Sequence, residues 1–218
     1  MKVISPSFEI ITPLERGEVL KKIEQAGRIA HKSEDKITAE SAEDFVKRLI
    51  KMGHESVLEH VSISVIIICD RGISHELVRH RIASYTQEST RYCDYAKKGE
   101  IVFIKPCFLK EGTAEYKIWE KAMEFAEKTY FQLRKRGLKP QEARAVLPNS
   151  LKTEIYVTAN IREWKHIFEL RCAAAAHPQM REIMVPLLHV FQHQIRPLFD
   201  DFAIDFERKI AIRGSIKI

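Results

Sequence analysis

Residues 79–91 read Arg-His-Arg-Ile-Ala-Ser-Tyr-Thr-Gln-Glu-Ser-Thr-Arg, and they hold the densest set of hydrogen-bond donors in the chain. Arg79, Arg81 and Arg91 supply planar guanidinium forks that suit phosphates and planar acceptors. Ser84, Thr86, Ser89 and Thr90 can donate to phosphate oxygens. Arg79 and Arg81 are two apart, so on a helix they would face different targets. The segment follows the most apolar run of the protein, Val65-Ile66-Ile67-Ile68-Cys69. A donor array carried by a buried strand is suited to gripping an anionic ligand.

Two further clusters could carry chemistry. Gly53-His54-Glu55-Ser56-Val57-Leu58-Glu59-His60 places two histidines and two carboxylates close together. The histidines are six apart, whereas the helical zinc motif needs i and i+4. The spacing therefore predicts a polar floor beside a strand, and no metal. In the C-terminal half stand Arg144, Asn160, Arg162, His166 and Arg171. Arg162 and His166 are i and i+4 and share a helix side. Arg171 precedes an Ala-rich run and is expected to be partly buried, with Glu169 or a ligand as its partner. Ser89 has no GxSxG context or base to make it a nucleophile. Cys69 and Cys172 read as small core hydrophobes.

These residues need elements to hold them. Phe8–Ile11 reads as a strand and Pro13–His31 as a helix. Ser41 and Asp44 resemble a capping box opening a helix that Gly53 stops. Val61–Cys69 is the strongest strand, half exposed at one end and buried on both faces at the other. Asp70-Arg71-Gly72 turns the chain into a short helix, Ser74–Arg79, capped by Ser74, and the donor-rich segment then runs irregularly. Ile101–Lys105 is a strand, Thr113–Arg136 a long amphipathic helix, and Pro140 opens Gln141–Leu147. Thr153–Ala159 is a strand, and Asn160 caps a helix over Arg162–Ala175 with Ile167, Phe168 and Leu170 in the core. A last helix runs from Pro178 to about Phe202, kinked at Pro186. This order predicts an α+β fold, a mixed or antiparallel central sheet flanked by long helices, in a single domain over residues 1–218.

The bulk numbers agree with a soluble globular protein. The 218 residues carry 45% hydrophobic and 30% charged side chains and a net charge of +6, spread rather than clustered. Small polyanions fit that distribution. Four scattered cysteines without CxxC spacing fit a reducing compartment, and no leader or membrane span is expected, so the reading is cytoplasmic. Two asparagines among many Lys, Glu, Arg and Ile lean towards a heat-adapted source. A nucleic-acid module using 79–91 with Tyr85, Tyr92 and Tyr95 is one rival. A metal-dependent hydrolase built on His54, Glu59 and His60 is another.

The blocks together resemble flavin-dependent thymidylate synthases. Residues 79–91 are similar to that family's RHRxxSxNxxSxR signature, with Thr86 at the asparagine position. His54-Glu55 with Glu59-His60 resembles its upstream block. Gln141-Glu142-Ala143-Arg144 with Leu147-Pro148, and Asn160-Ile161-Arg162 leading to Leu170-Arg171, resemble its later ones. The resemblance covers about residues 50–200. It implies a homotetramer with FAD where subunits meet. It implies FAD contacts at Ser56, Arg79, His80, Arg81, Gln87, Asn160, Ile161, Arg162 and His166. For dUMP it implies Glu76, Leu77, Val78, Arg79, Gln87, Glu88, Ser89, Thr90, Arg91, Arg144 and Arg171. It implies methylation of dUMP at C5, with methylenetetrahydrofolate as carbon donor, NADPH reducing the flavin, and no protein nucleophile. Arg171 is expected to stabilise charge developing on the uracil ring.

Overall fold

The computed structural model describes residues 1–214, and the last four residues of the expected 1–218 domain lie outside them. Its elements run β1 (Lys2–Ile4), β2 (Ser7–Ile10), α1 (Arg16–Ile29), α2 (Ser41–Lys51), a 3-10 turn (Glu55–His60), β3 (Ser62–Asp70), α3 (Arg71–Leu77) and β4 (Ala83–Gln87). There follow α4 (Tyr95–Lys98), β5 (Val102–Ile104), α5 (Ala114–Lys135), α6 (Pro140–Ala143), a 3-10 turn (Arg144–Val146), β6 (Lys152–Asn160), α7 (Ile161–Arg171), α8 (Pro178–Gln194), β7 (Phe202–Asp205) and β8 (Ile210–Arg213). Helices and strands alternate unevenly, as the α+β reading expects. One four-stranded sheet has the order β2-β3-β6-β4, β1 pairs with β5 in parallel, and β7 pairs with β8 antiparallel. No helix of the described residues is long and apolar enough to cross a membrane.

The described chain groups into two compact units. The first comprises Met1–Glu9, Ile66–Arg79 and Tyr85–Tyr156. Its core gathers Tyr95, Ile101, Phe103, Met123, Tyr130, Ala143 and Leu151. α5 supplies Met123 and Tyr130 seven residues apart, two turns of one helix face. Tyr95 meets Tyr130 edge-on at 5.8 Å, a favoured aromatic geometry. The side chain of Asp94 caps α4 and also pairs with Arg134 at 2.6 Å.

The second unit comprises Ile10–Val65, His80–Ser84 and the chain from Val157 onward. Trp164, Phe168, Phe191, Phe199 and Phe202 form an aromatic cluster from α7, α8 and the segment beyond. Trp164 also donates from Nε1 to the Ile63 carbonyl at 3.0 Å, so its one polar atom is satisfied in the core. Gly27 lets α1 approach α2, since a Cβ there would lie 2.8 Å from Phe45 Cε1. Gly53, at φ 72°, takes the left-handed turn that ends α2.

Several local expectations need correction. Ala83–Gln87 is a strand inside the stretch expected to be irregular; its residues alternate between half-buried and exposed, as those of a sheet-edge strand do. Asp70, not Ser74, caps α3, accepting from Ile73 N at 2.8 Å. Ser41 makes no capping box; its hydroxyl accepts from Thr38 N at 2.9 Å and donates to Glu24 at 2.9 Å. β3 alternates almost throughout, with both faces buried only at Cys69 and Asp70. α7 stops at Arg171, and Leu170 is 48% exposed rather than in the core. α8 ends at Gln194, and the chain beyond forms the unexpected β7–β8 hairpin.

Candidate active site

Asn160 ends β6 and caps α7, its Oδ1 accepting from Glu163 N at 2.8 Å. The first turns of α7 then present Arg162, Glu163 and His166. They line a cavity of about 440 Å³ together with Asn160, Ile82, Glu55, Glu59, Glu169 and Arg213. An adjoining cavity of about 440 Å³ is lined by Ser56, His54 and again Glu55 and Arg162. Of the residues tied to FAD by resemblance, Ser56, Asn160, Arg162 and His166 therefore gather around these two hollows. Arg162 is held there by Glu59, Nη1 to Oε1 at 2.5 Å. Arg81 is exposed, and Ile161 is fully buried, so only its main chain can meet a ligand.

The cavity wall is fixed by a network that sequence reasoning missed. Arg213, on β8, donates to Asp201 at 2.8 Å and Glu169 at 3.4 Å, and also bonds Glu55. Lys165 is fully buried and bonds the Leu198 carbonyl at 2.9 Å and Asp201 at 3.0 Å. Burial lowers the Lys165 pKa while Asp201 opposes that shift. Neither cation belongs to a motif, and β8 lies far along the chain, so only the fold could reveal them.

His80 sits at the heart of this unit, 4% exposed. Its Nε2 accepts from Arg171 Nε at 2.9 Å, and its Nδ1 lies 3.5 Å from Glu163 Oε1. The His166 ring stands edge-on to it at 5.5 Å. Burial first, then the charges of Arg171 and His166, push the His80 pKa down to about 4. The lowered pKa favours the neutral imidazole, and an Nε2 that accepts from Arg171 leaves Nδ1 as the nitrogen to carry the ring proton, facing Glu163. Glu169 or a ligand was expected beside Arg171; the structure places His80 against its Nε.

Among the described residues, His80, Glu163 and His166 are the one group whose ligand atoms all lie within 4.8 Å. The Arg171 guanidinium already occupies the lone pair of His80 Nε2, which opposes a cation there. His54, Glu59 and His60 form no such group among the described residues.

The first unit carries most residues tied to dUMP. Gln87 Nε2 donates to Ser74 Oγ at 2.7 Å and Thr153 Oγ1 at 3.1 Å. Glu88 accepts from Tyr95 Oη and Lys152 Nζ, both at 3.2 Å. Thr90 is buried and accepts from Arg144 Nη1 at 3.0 Å. The Ser89 hydroxyl accepts from Arg91 N at 3.3 Å, which shapes the loop after β4. Leu77 is buried and its carbonyl accepts from Tyr85 Oη at 2.8 Å. Glu76 is half-buried, whereas Val78, Arg79, Arg91 and Thr86 are exposed. No buried thiol is poised to attack: burial pushes Cys69 and Cys172 up to about 12.

Comparison with known proteins gives these features a family. The sequence model of the family described as thymidylate synthase complementing protein matches residues 15–195. A flavin-dependent thymidylate synthase of Pyrococcus abyssi is 38% identical over 168 residues, covering 75% of this chain and 69% of that protein. One from Geobacter sulfurreducens is 36% identical, covering 77% and 72%. Among solved structures, the UMP/dUMP methylase PolB from Streptomyces cacaoi, bound with 5-Br dUMP, superposes with a TM-score of 0.71 at 25% identity, over 92% of this chain and 96% of that one. Model and relatives agree over most of the length, and the chain belongs to the family of flavin-dependent thymidylate synthases.

Proposed function

We propose that this protein methylates dUMP at C5 to give dTMP, taking the one-carbon unit from methylenetetrahydrofolate and using FAD reduced by NADPH. The observation that carries the reading is the Arg171–His80 contact, an arginine oriented by a neutral buried histidine. A guanidinium held in this way can meet charge developing at the N3–O4 edge of a uracil without reorganising first. Arg144, Thr90, Ser89 and Arg91 are assigned to the nucleotide phosphate and sugar, and Glu76, Gln87, Glu88 and the main chain of Leu77 and Val78 to the rest of dUMP.

The hollow beside α7 fits the flat end of a flavin. Asn160, Arg162, His166 and Ser56 offer hydrogen bonds to ring edges, and exposed Arg81 can hold the pyrophosphate. When bound, FAD supplies the hydride that no side chain of this protein can. Exposed arginines need a second surface to enclose a dinucleotide, which supports a homotetramer with FAD at its interfaces. Ile118 and Phe125, both 70% exposed and seven residues apart on α5, support assembly as well. The reading places the whole chain in one cytoplasmic catalytic domain.

The test is methylation itself. Purified protein reconstituted with FAD is given NADPH, methylenetetrahydrofolate and dUMP carrying tritium at C5. Tritium release with dTMP formation is expected, and Arg171→Ala is expected to slow single-turnover flavin oxidation. UMP in place of dUMP separates the two nucleotides. Protein that takes up no FAD, or that methylates neither nucleotide, refutes the proposal.

A further inference from the structure

We infer that Glu163 is a positioning residue that sets the tautomer of His80 and, through it, aims Arg171. This rests on the reading that Arg171 meets the nucleotide. Glu163 and Arg171 are eight residues apart on α7, roughly 12 Å along the axis at about 1.5 Å per residue. Neither side chain holds the other directly in this arrangement; His80 links them, with Nδ1 towards Glu163 and Nε2 towards Arg171.

An imidazole that is neutral carries one proton and one lone pair, and the two nitrogens are distinguishable only by their partners. Arg171 Nε–H can donate only if His80 Nε2 keeps its lone pair. The proton must then sit on Nδ1, and the group it faces is the Glu163 carboxyl at 3.5 Å. The opposite tautomer would set two N–H groups against each other at 2.9 Å and turn a lone pair towards a carboxyl oxygen. A buried acceptor beside Nδ1 therefore selects the tautomer that Arg171 needs. This is the same logic by which a group behind a catalytic or metal-bound histidine fixes its ring.

Glu163 is well placed to act this way. It is 6% exposed, and its own backbone N–H is tied to Asn160, so the turn that carries it is fixed. His166 lies on the same helix face and confines the His80 ring edge-on. Arg171 is engaged by His80 through Nε, so a turn of the imidazole moves the acceptor on which one edge of the guanidinium rests. A loosened His80 would leave Arg171 charged and present but poorly aimed, which lowers the rate more than it weakens ground-state binding.

The experiment compares the FAD-loaded wild type with Glu163→Gln and Glu163→Leu, in protein labelled with ¹⁵N-histidine. Gln keeps an acceptor oxygen without charge, whereas Leu keeps bulk without an acceptor. NMR of the His80 nitrogens is expected to show a protonated Nδ1 in wild type and in Glu163→Gln, and a mixture in Glu163→Leu. The turnover number is expected to fall about 10- to 100-fold in Glu163→Leu with the KM for dUMP changed less, and to return to within about threefold in Glu163→Gln. A wild-type His80 protonated on Nε2 overturns the inference with no variant needed. So does a Glu163→Leu protein that keeps the Nδ1 proton, or a Glu163→Gln protein as slow as Glu163→Leu. If Glu163→Leu does not hold flavin, Glu163→Ala takes its place under the same criteria. The NMR result stands even where no dUMP is methylated, so failure of the proposed reaction and failure of this inference are told apart.

Discussion

Arg144 Nη1 donates to Thr90 Oγ1 at 3.0 Å, joining the turn after α6 to the loop after β4 across 54 residues of sequence. Thr90 is buried while Arg144 is exposed, so the hydroxyl orients a guanidinium that still faces solvent. A cation displayed in this way beside Ser89 and Arg91 is suited to a phosphate. Arg144→Ala is expected to weaken dUMP about 10- to 100-fold, since a charged hydrogen bond contributes about 1.5–3 kcal/mol and each 1.4 is tenfold. Calorimetric titration with dUMP checks it, with flavin content as control. Unchanged dUMP affinity removes Arg144 from the nucleotide site.

The cavity wall offers a test of coupling. Asp201 and Glu55 are each contacted by both Lys165 and Arg213. Either cation alone can therefore keep both carboxylates paired. Lys165→Met and Arg213→Met are each expected to cost about 1–2 kcal/mol, while the double variant exceeds their sum by about 0.5–3 kcal/mol, because two half-buried acids then lose both of these cations. Urea unfolding of the four proteins measures this, and simple additivity would show that the network shares no load.

Why some of this was readable in the residues and some was not follows from the range of each signal. Asn160 was legible as a cap because capping is a contact three residues long, and Asn160–Glu163 obeys it. The pairing of Arg162 with His166 on one side was legible from helical period alone. Ser41 misled, because Thr38 and Glu24 compete for its hydroxyl, and Glu24 is seventeen residues away. Strands of three or four residues, such as β1, β7 and β8, carry no periodicity to read and exist through partners distant in sequence or in a late hairpin. Nothing in the sequence marks Glu163 out, since an acid in the first turn of a helix is favoured by the dipole. Its link to His80, 83 residues earlier, could come only from the fold.

The thiols give a prediction that needs no activity. Cys107 is exposed and Cys93 half-buried, while Cys69 and Cys172 are buried with their ionisation pushed up to about 12 by burial. Thiolate is the reactive form, so a disulfide reagent at neutral pH should label Cys107 fast and Cys93 slowly. Cys69 and Cys172 should react only after unfolding. Mass spectrometry of the modified peptides identifies the sites. Rapid native labelling of Cys172 would mean that the end of α7 opens readily.

His80 also makes stability depend on acid in a defined direction. Its folded pKa is about 4, below the ordinary 6.5, because burial and the Arg171 charge disfavour the imidazolium. The unfolded chain therefore binds a proton at a pH where the folded chain does not. The stability due to neutral His80 is complete above about pH 6.5 and is lost as the pH falls towards about 4, to a total on the order of 3 kcal/mol. Glu163 works the other way, since burial raises its pKa and its protonation on acidification relieves a buried charge. Asp94, whose pKa Arg134 lowers, loses stability in acid independently of His80. The informative quantity is thus the difference between wild type and His80→Gln, which cannot take up that proton. Urea unfolding from about pH 7 to about pH 4.5 should show the wild type losing stability faster than the variant. Parallel curves across that window would mean that His80 is charged, or exposed, in the folded protein.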